Sequence, residues 1–313
     1  SAKMVYLKPS DNWKEAGAIF YVWYWTGSGS GTAGKLNYVG LGGLYGYDIG
    51  NHTSFKFTRN KSTSNSPWTD NWGETGDLSY DANKPCYNVV KWNESGSGLT
   101  AAPSAYIAGA TELTGHNWSA NATENKMTLT SGKWTLTKTI TSINNGDYEY
   151  KVTDGSWGWS LGEDGNNAKI NIPATGKYEV TFTYNPSNET VSATATPIYS
   201  ITVNAGEGGN ATGSGECKNG EYVTIDATPE TNYEFVNWTI VNGTGSFESN
   251  TTASTKFYAT SDATIQANFR STLTYSLTTS FGEGIASVTG ATNPVKLGES
   301  YAISATPKTG YAF

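Results

Sequence analysis

The chain reads as all-β, a series of tandem β-sandwich (immunoglobulin-like) modules followed by small β repeat units, and three observations predict this. Rings and β-branched residues carry the apolar content: the 313 residues hold 11 Trp, 20 Tyr and 10 Phe but only 2 Met, a composition that suits pleated, half-buried strands. Turn signals supplied by 36 Gly, with abundant Asn, Ser and Thr, recur about every 8 to 15 residues, the spacing of short antiparallel strands. The C-terminal part repeats itself at a nearly fixed interval, which marks copies of one supersecondary unit. The length calls for more than one domain at about 100 to 200 residues each.

The first module, residues 1–99, opens with a strand at Met4–Lys8. A second strand over 18–25 holds Phe20-Tyr21-Val22-Trp23-Tyr24-Trp25. Alternate side chains of a strand point to opposite faces, so Phe20, Val22 and Tyr24 fall on one side and Tyr21, Trp23 and Trp25 on the other. One face supplies core. The other is a ring surface about 13 Å long, unless a second sheet covers it. A glycine-rich section with Tyr38, Tyr45 and Tyr47 follows, then a strand over 54–59, a long polar loop over 60–80 carrying Trp68 and Trp72, and a strand over 86–92. Long loops that carry rings are more often functional than idle.

Val5-Tyr6-Leu7-Lys8, Asn12-Trp13-Lys14, Tyr21-Val22-Trp23, Phe55-Lys56-Phe57-Thr58-Arg59-Asn60 and the Trp68/Trp72 loop together resemble the family 26 starch-binding modules. That resemblance implies a small β-sandwich that holds α-glucan on a few exposed rings.

A small polar linker around Pro103 leads to the second module, residues 104–197, with strands expected over 105–108, 126–129, 133–140, 146–153, 168–172, 176–184 and 190–195. Trp134 alternates with Leu136 and reads as core, as do Tyr148, Tyr150, Tyr178 and Phe182. Trp157 and Trp159 stand two apart and share a face. The pieces Asn117-Trp118, Met127, Gly146-Asp147-Tyr148-Glu149-Tyr150-Lys151-Val152, Gly155-Ser156-Trp157, Leu161-Gly162, Gly165-Asn166-Asn167 and the closing Gly176-Lys177-Tyr178-Glu179-Val180-Thr181-Phe182-Thr183-Tyr184 resemble the pullulanase-associated and starch-utilisation lipoprotein modules. By that resemblance Trp118 and Trp157 belong to the core or to the rim of a binding surface.

Two repeats complete the chain, 198–271 and 272–313. Tyr199-Ser200-Ile201-Thr202 returns as Tyr275-Ser276-Leu277-Thr278, Gly206-Glu207-Gly208 as Gly282-Glu283-Gly284, and Ile225-Asp226-Ala227-Thr228-Pro229 as Ile303-Ser304-Ala305-Thr306-Pro307. The first copy continues through Trp238, a packing residue by this reading, to a strand over 264–269. The second stops about 35 residues short of that pattern, so the chain is expected to be part of a longer protein. These units resemble the divergent internalin-B-type repeats, which implies a spacer on an extracellular bacterial protein.

Charge excludes some partners. A formal net charge of −7 without any Lys/Arg cluster lacks the basic face of a nucleic-acid binder, and no apolar run approaches the roughly 18 residues of a membrane-spanning helix. Cys86 and Cys217 fall in different modules, so no disulfide within a module is expected. Rings, in contrast, point to sugars. The C–H face of a pyranose is apolar and packs on a flat, rigid side chain, while its hydroxyls take hydrogen bonds at the rim. The candidate carbohydrate-binding residues are Tyr21, Trp23, Trp25, Trp68 and Trp72 in the first module and Trp159 in the second.

Catalysis has less support. Glycoside hydrolysis needs two carboxylates about 5 to 10 Å apart flanking a cleft, and modules of this size offer a shallow surface. His52 and His116 lie in different modules, and neither a metal nor a cofactor is expected. The Glu163-Asp164-Gly165-Asn166-Asn167 stretch has oxygen ligands suited to Ca²⁺ but reads as a turn. The expectation is a non-catalytic α-glucan (starch)-binding region of a secreted or surface-anchored bacterial multimodular protein, open to being the accessory part of a larger glycoside hydrolase. The alternative is an adhesin or structural stalk in which every ring is core.

Overall fold

A computed structural model describes residues 2–89, 99–290 and 293–313. The chain is all-β with two one-turn α-helices among the described residues, α1 (Asp11–Lys14) and α2 (Thr111–Thr114), and it forms two compact units, Ser1–Ala195 and Thr196–Phe313. The first expected module and residues 104–195 of the second fall in the first unit.

The N-terminal part of that unit is two sheets face to face. One has the order β10 (Leu99–Thr100), β9 (Cys86–Asn88), β1 (Met4–Lys8), β5 (Leu44–Asp48), β4 (Asn37–Gly40). The other runs β3 (Thr32–Lys35), β2 (Ile19–Trp25), β6 (Ser54–Asn60), β7 (Asn71–Glu74), with β8 (Leu78–Ser79) also paired to β6. The strand expected over 86–92 ends at Asn88, and residues 90–92 lie outside the described ones. Between the sheets lie Val5, Leu7, Trp13, Phe20, Val22, Phe55, Phe57 and Tyr87, all buried. Phe20 and Val22 thus take the inward positions that strand alternation assigns them.

The next strands build a second pair of sheets. One holds β11 (Tyr106–Gly109), β14 (Gly146–Thr153) and β15 (Ser160–Leu161), with β16 (Ala168–Ile172) on β14. The other has the order β12 (Thr128–Thr130), β13 (Lys133–Ile143), β17 (Gly176–Asn185), β18 (Thr190–Ala205). Their core contains Ile107, Trp134, Tyr150, Val152, Tyr178, Val180 and Phe182, and it also takes in Tyr6, Val39 and Leu44 from the N-terminal sheets and Leu41 from the turn between β4 and β5. Tyr148 is only half-buried, its hydroxyl donating to the Asn144 carbonyl at 3.0 Å.

Strand β1 explains how one sheet serves two cores. Val5 and Leu7 point to the first core, and Tyr6 to the second. Trp134 ties the two, its indole N–H donating to the Val39 carbonyl at 2.7 Å. At Gly40, φ is +91° and a Cβ would stand 2.1 Å from the Tyr184 hydroxyl, so only glycine lets β4 close on that ring.

In the second unit the repeat is visible in the pairing. Ile198 and Tyr199 of β18 face Lys218 and Cys217 of β20 (Gly215–Lys218), and Thr274 and Tyr275 of β26 (Thr274–Tyr275) face Lys296 and Val295 of β28 (Val295–Lys296). Gly209 of β19 (Gly209–Thr212) pairs with Pro229 of β21 (Val223–Pro229), and Ile285 of β27 (Ile285–Thr289) pairs with Pro307 of β29 (Ser304–Pro307). The first copy adds β22 (Tyr233–Asn242), β23 (Gly245–Phe247), β24 (Ser254–Ala259) and β25 (Ala263–Ser271), which enclose Ile225, Trp238, Phe257 and Ile265. Trp238 is fully buried and its indole N–H donates to the Thr252 carbonyl at 3.1 Å, a packing role. Cys86 and Cys217 are both buried free thiols.

Candidate carbohydrate-binding cleft

The outward face of β2 is where the candidate rings gather. Register with β6 sets Tyr21 beside Thr58, Trp23 beside Lys56 and Trp25 beside Ser54, and side chains directly opposite across a pair share a face. Among the described residues no second sheet covers these rings. Instead the loop 61–70 folds over the Tyr21 end, burying that ring and accepting its hydroxyl proton on the Ser64 carbonyl at 3.0 Å. Trp23 and Trp25 stay half-buried.

Trp68, from that loop, is 50% exposed and meets Trp23 at a centroid distance of 5.3 Å and an interplanar angle of 66°. Edge-to-face contact of this kind is one of the two arrangements that aromatic quadrupoles favour over a face-to-face sandwich. On the other side the turn 26–31 closes the site. A Cβ at Gly31 would lie 2.4 Å from Trp23 Cε2, so Gly31 packs directly on the indole. Trp23, Trp25, Trp68, Lys56, Asp77 and the Gly27–Gly31 turn line an open cleft of about 490 Å³.

Lys56 supplies the polar part. Its ammonium lies 3.0 Å from Asp77 Oδ1 and 3.3 Å from Glu74 Oε1. Burial works to lower its pKa, but the hydrogen bonds and negative charges of Asp77 and Glu74 outweigh it and hold the group above the ordinary 10.5. A raised lysine pKa means that the ion pairs contribute fully below that ordinary value and are lost only as pH rises through the raised one. Affinity for a neutral glycan should therefore be flat between about pH 6 and about pH 9, which calorimetric titration at constant ionic strength would check.

The other two candidates lie elsewhere. Trp72, on β7, is half-buried and carries the Arg59 guanidinium 4.8 Å above its ring. Arg59 in turn donates to the Trp13 carbonyl at 2.7 Å and the Glu15 carbonyl at 2.8 Å, so this stack braces the sheet edge and does not line the cleft. Trp159 is half-buried on the core of the second pair of sheets, its ring 5.4 Å from that of Tyr184 and pressed against Gly42. Its neighbour Trp157 is 46% exposed. The Glu163–Asn167 stretch closes on itself, the Asn166 N–H donating to the Glu163 carbonyl at 2.8 Å.

Sequence reasoning passed over Lys56, Asp77 and Gly31. Lys56 was legible as the residue between Phe55 and Phe57, hence on the face opposite the core. Asp77 and Gly31 reach the cleft only through loop geometry. Gly31→Ala should displace the Trp23 ring, because overpacking costs about 1–3 kcal/mol. We expect glycan affinity to fall by about tenfold, measured by titration, with an unchanged circular dichroism spectrum.

Comparison with known protein families adds to this geometry. No curated protein matches the chain. Residues 108–191 match the family model of the pullulanase X25 domain and residues 199–272 that of the divergent InlB B-repeat domain, in the order of the second and third resemblances read from the sequence.

Proposed function

We propose that this chain is a non-catalytic α-glucan-binding region of a secreted or surface-anchored bacterial multimodular protein, with the Trp23/Trp25/Trp68 cleft as its site. The observation that carries the reading is the angle between Trp23 and Trp68. Two rings inclined at 66° form a bent surface. A β-1,4-linked glucan is a flat ribbon that suits coplanar rings, whereas an α-1,4-linked glucan curves and presents successive pyranose faces at an angle. Lys56, Asp77 and the backbone of the Gly27–Gly31 turn are then the rim groups that bond to sugar hydroxyls.

Support also comes from the resemblance of residues 1–99 to family 26 starch-binding modules and from the pullulanase X25 match next to it. Glu74 and Asp77, two carboxylates beside the cleft, are engaged by Lys56, an arrangement for recognition, not for proton transfer to a glycosidic oxygen. Calorimetry with maltoheptaose and with cellohexaose tests the proposal. Heat of binding is expected with the first alone, and an absence of heat with maltoheptaose at millimolar concentration would overturn it.

A second reading, a stalk or adhesin without a glycan site, is favoured by the duplicated strand register of the second unit. The readings divide the chain between them if the second unit acts as spacer. Intrinsic fluorescence separates them for the first unit, since a half-exposed Trp68 should respond to bound glycan and a purely structural one would not.

A further inference from the structure

Trp68 stands on a loop with little apolar anchorage. Of residues 61–70 only Ser64 and Pro67 are buried. Side-chain hydrogen bonds hold it instead, and three of them come from one side chain beneath it. Asn60, the last residue of β6, is 0% exposed, and its Nδ2 lies 3.2 Å from the Ser66 carbonyl, 3.1 Å from that of Pro67 and 3.0 Å from that of Thr69. Its Oδ1 accepts from the Thr58 hydroxyl at 2.6 Å. Three carbonyls on one side and a hydroxyl on the other admit only one orientation of the amide. Ser64 Oγ reinforces the knot, 2.7 Å from the Ser66 carbonyl and 2.6 Å from that of Thr69, and Asn71 Nδ2 donates to the Pro67 carbonyl at 3.1 Å.

The bonded carbonyls flank Trp68 on both sides in sequence. The indole itself meets Trp23 in an edge-to-face contact. A flexible loop would have to be ordered by the ligand, at the expense of affinity.

We propose that Asn60 is a positioning residue of the cleft, fixing the backbone on either side of Trp68 so that the ring is presented to the glycan already ordered. This rests on the reading of the cleft as an α-glucan site. Asn60 does not touch the ligand. It acts through Trp68, and the amide donors are what matters: a carboxylate of the same shape would face three carbonyls with no proton to give.

The test is a double-mutant cycle on the whole chain with maltoheptaose as probe. Asn60→Ala and Asn60→Asp should each weaken binding by about tenfold in the wild-type background and have no further effect in a Trp68→Ala background. An equal loss in both backgrounds, or no loss in the wild type, overturns the proposal. Ser64→Ala, which removes one tie and keeps Asn60, is the milder variant should the Asn60 substitutions fail to fold, and a several-fold loss confined to the wild-type background is expected of it. A readout independent of glycan separates this inference from the function it rests on. In protein labelled with 5-fluorotryptophan, the fluorine resonance of Trp68, assigned with Trp68→Phe, should shift and broaden in Asn60→Ala while that of buried Trp13 stays in place. A Trp68 resonance unchanged by Asn60→Ala overturns the positioning role even if the wild type binds glycan. A shifted resonance in a protein that binds no glycan supports it, and refutes only the assigned ligand.

Discussion

Trp68→Ala is expected to weaken maltoheptaose binding by about 30-fold, or about 2 kcal/mol, the scale of a central aromatic anchor. The ring is half-exposed in the free protein, it forms one wall of the cleft, and its edge rests on Trp23. Removing it deletes a stacking face and also frees Trp23 from a fixed neighbour, so Trp23→Ala should be equally costly and the pair less than additive. The fold should survive, because Trp68 belongs to none of the three buried cores. Titration calorimetry with parallel thermal melts checks this. A Trp68→Ala protein that binds as wild type would remove the cleft from consideration, and one that unfolds would show the ring to be structural.

Trp134→Ala should have the largest effect on stability. The side chain is 3% exposed, packs in the core shared between the two pairs of sheets, and donates its indole proton to the Val39 carbonyl. Truncating a buried Trp costs about 3–5 kcal/mol, and the Val39 carbonyl loses its bond in addition. For a unit of this size about 2–4 °C of melting temperature goes with each kcal/mol, so a drop of roughly 10 °C is expected. A thermal melt of the first unit followed by circular dichroism measures it. A change below about 2 °C would mean that the shared core does not couple the two halves. The same coupling predicts one cooperative transition for Ser1–Ala195.

Much of the strand pattern is legible in the chain, since alternation and turn residues act locally. Gly146–Thr153 and Ala168–Ile172 emerge with the expected bounds because a turn and a run of alternating apolar residues define each end. Strands without that signature were missed. Thr32–Lys35 and Asn71–Glu74 are short edge strands whose residues carry no apolar period, and they form because β2 and β6 offer them free backbone partners. The strand expected over 190–195 runs on to Ala205, where pairing with β20 and β25 extends it.

For the candidate site the division is similar. Period-2 alternation alone put Tyr21, Trp23 and Trp25 on one face, and the composition of the long loop singled out Trp68. Whether these rings meet depends on contacts between residues about 40 positions apart, Tyr21 with the Ser64 carbonyl and Trp23 with Trp68, which no local pattern encodes. The Ser64 contact buries Tyr21, while Trp23 and Trp25 stay half-buried along the cleft.

From residues in order come the all-β class, the repeat, the family resemblances and the outward face of β2, because each follows from spacing along the chain. Packing alone decides that the covering element is a loop and not a sheet, that a buried Asn60 ties this loop down, and that Trp23 and Trp68 meet at an angle. Those three facts turn a row of rings into a cleft, and they rest on hydrogen bonds and ring contacts made only once the chain has closed on itself.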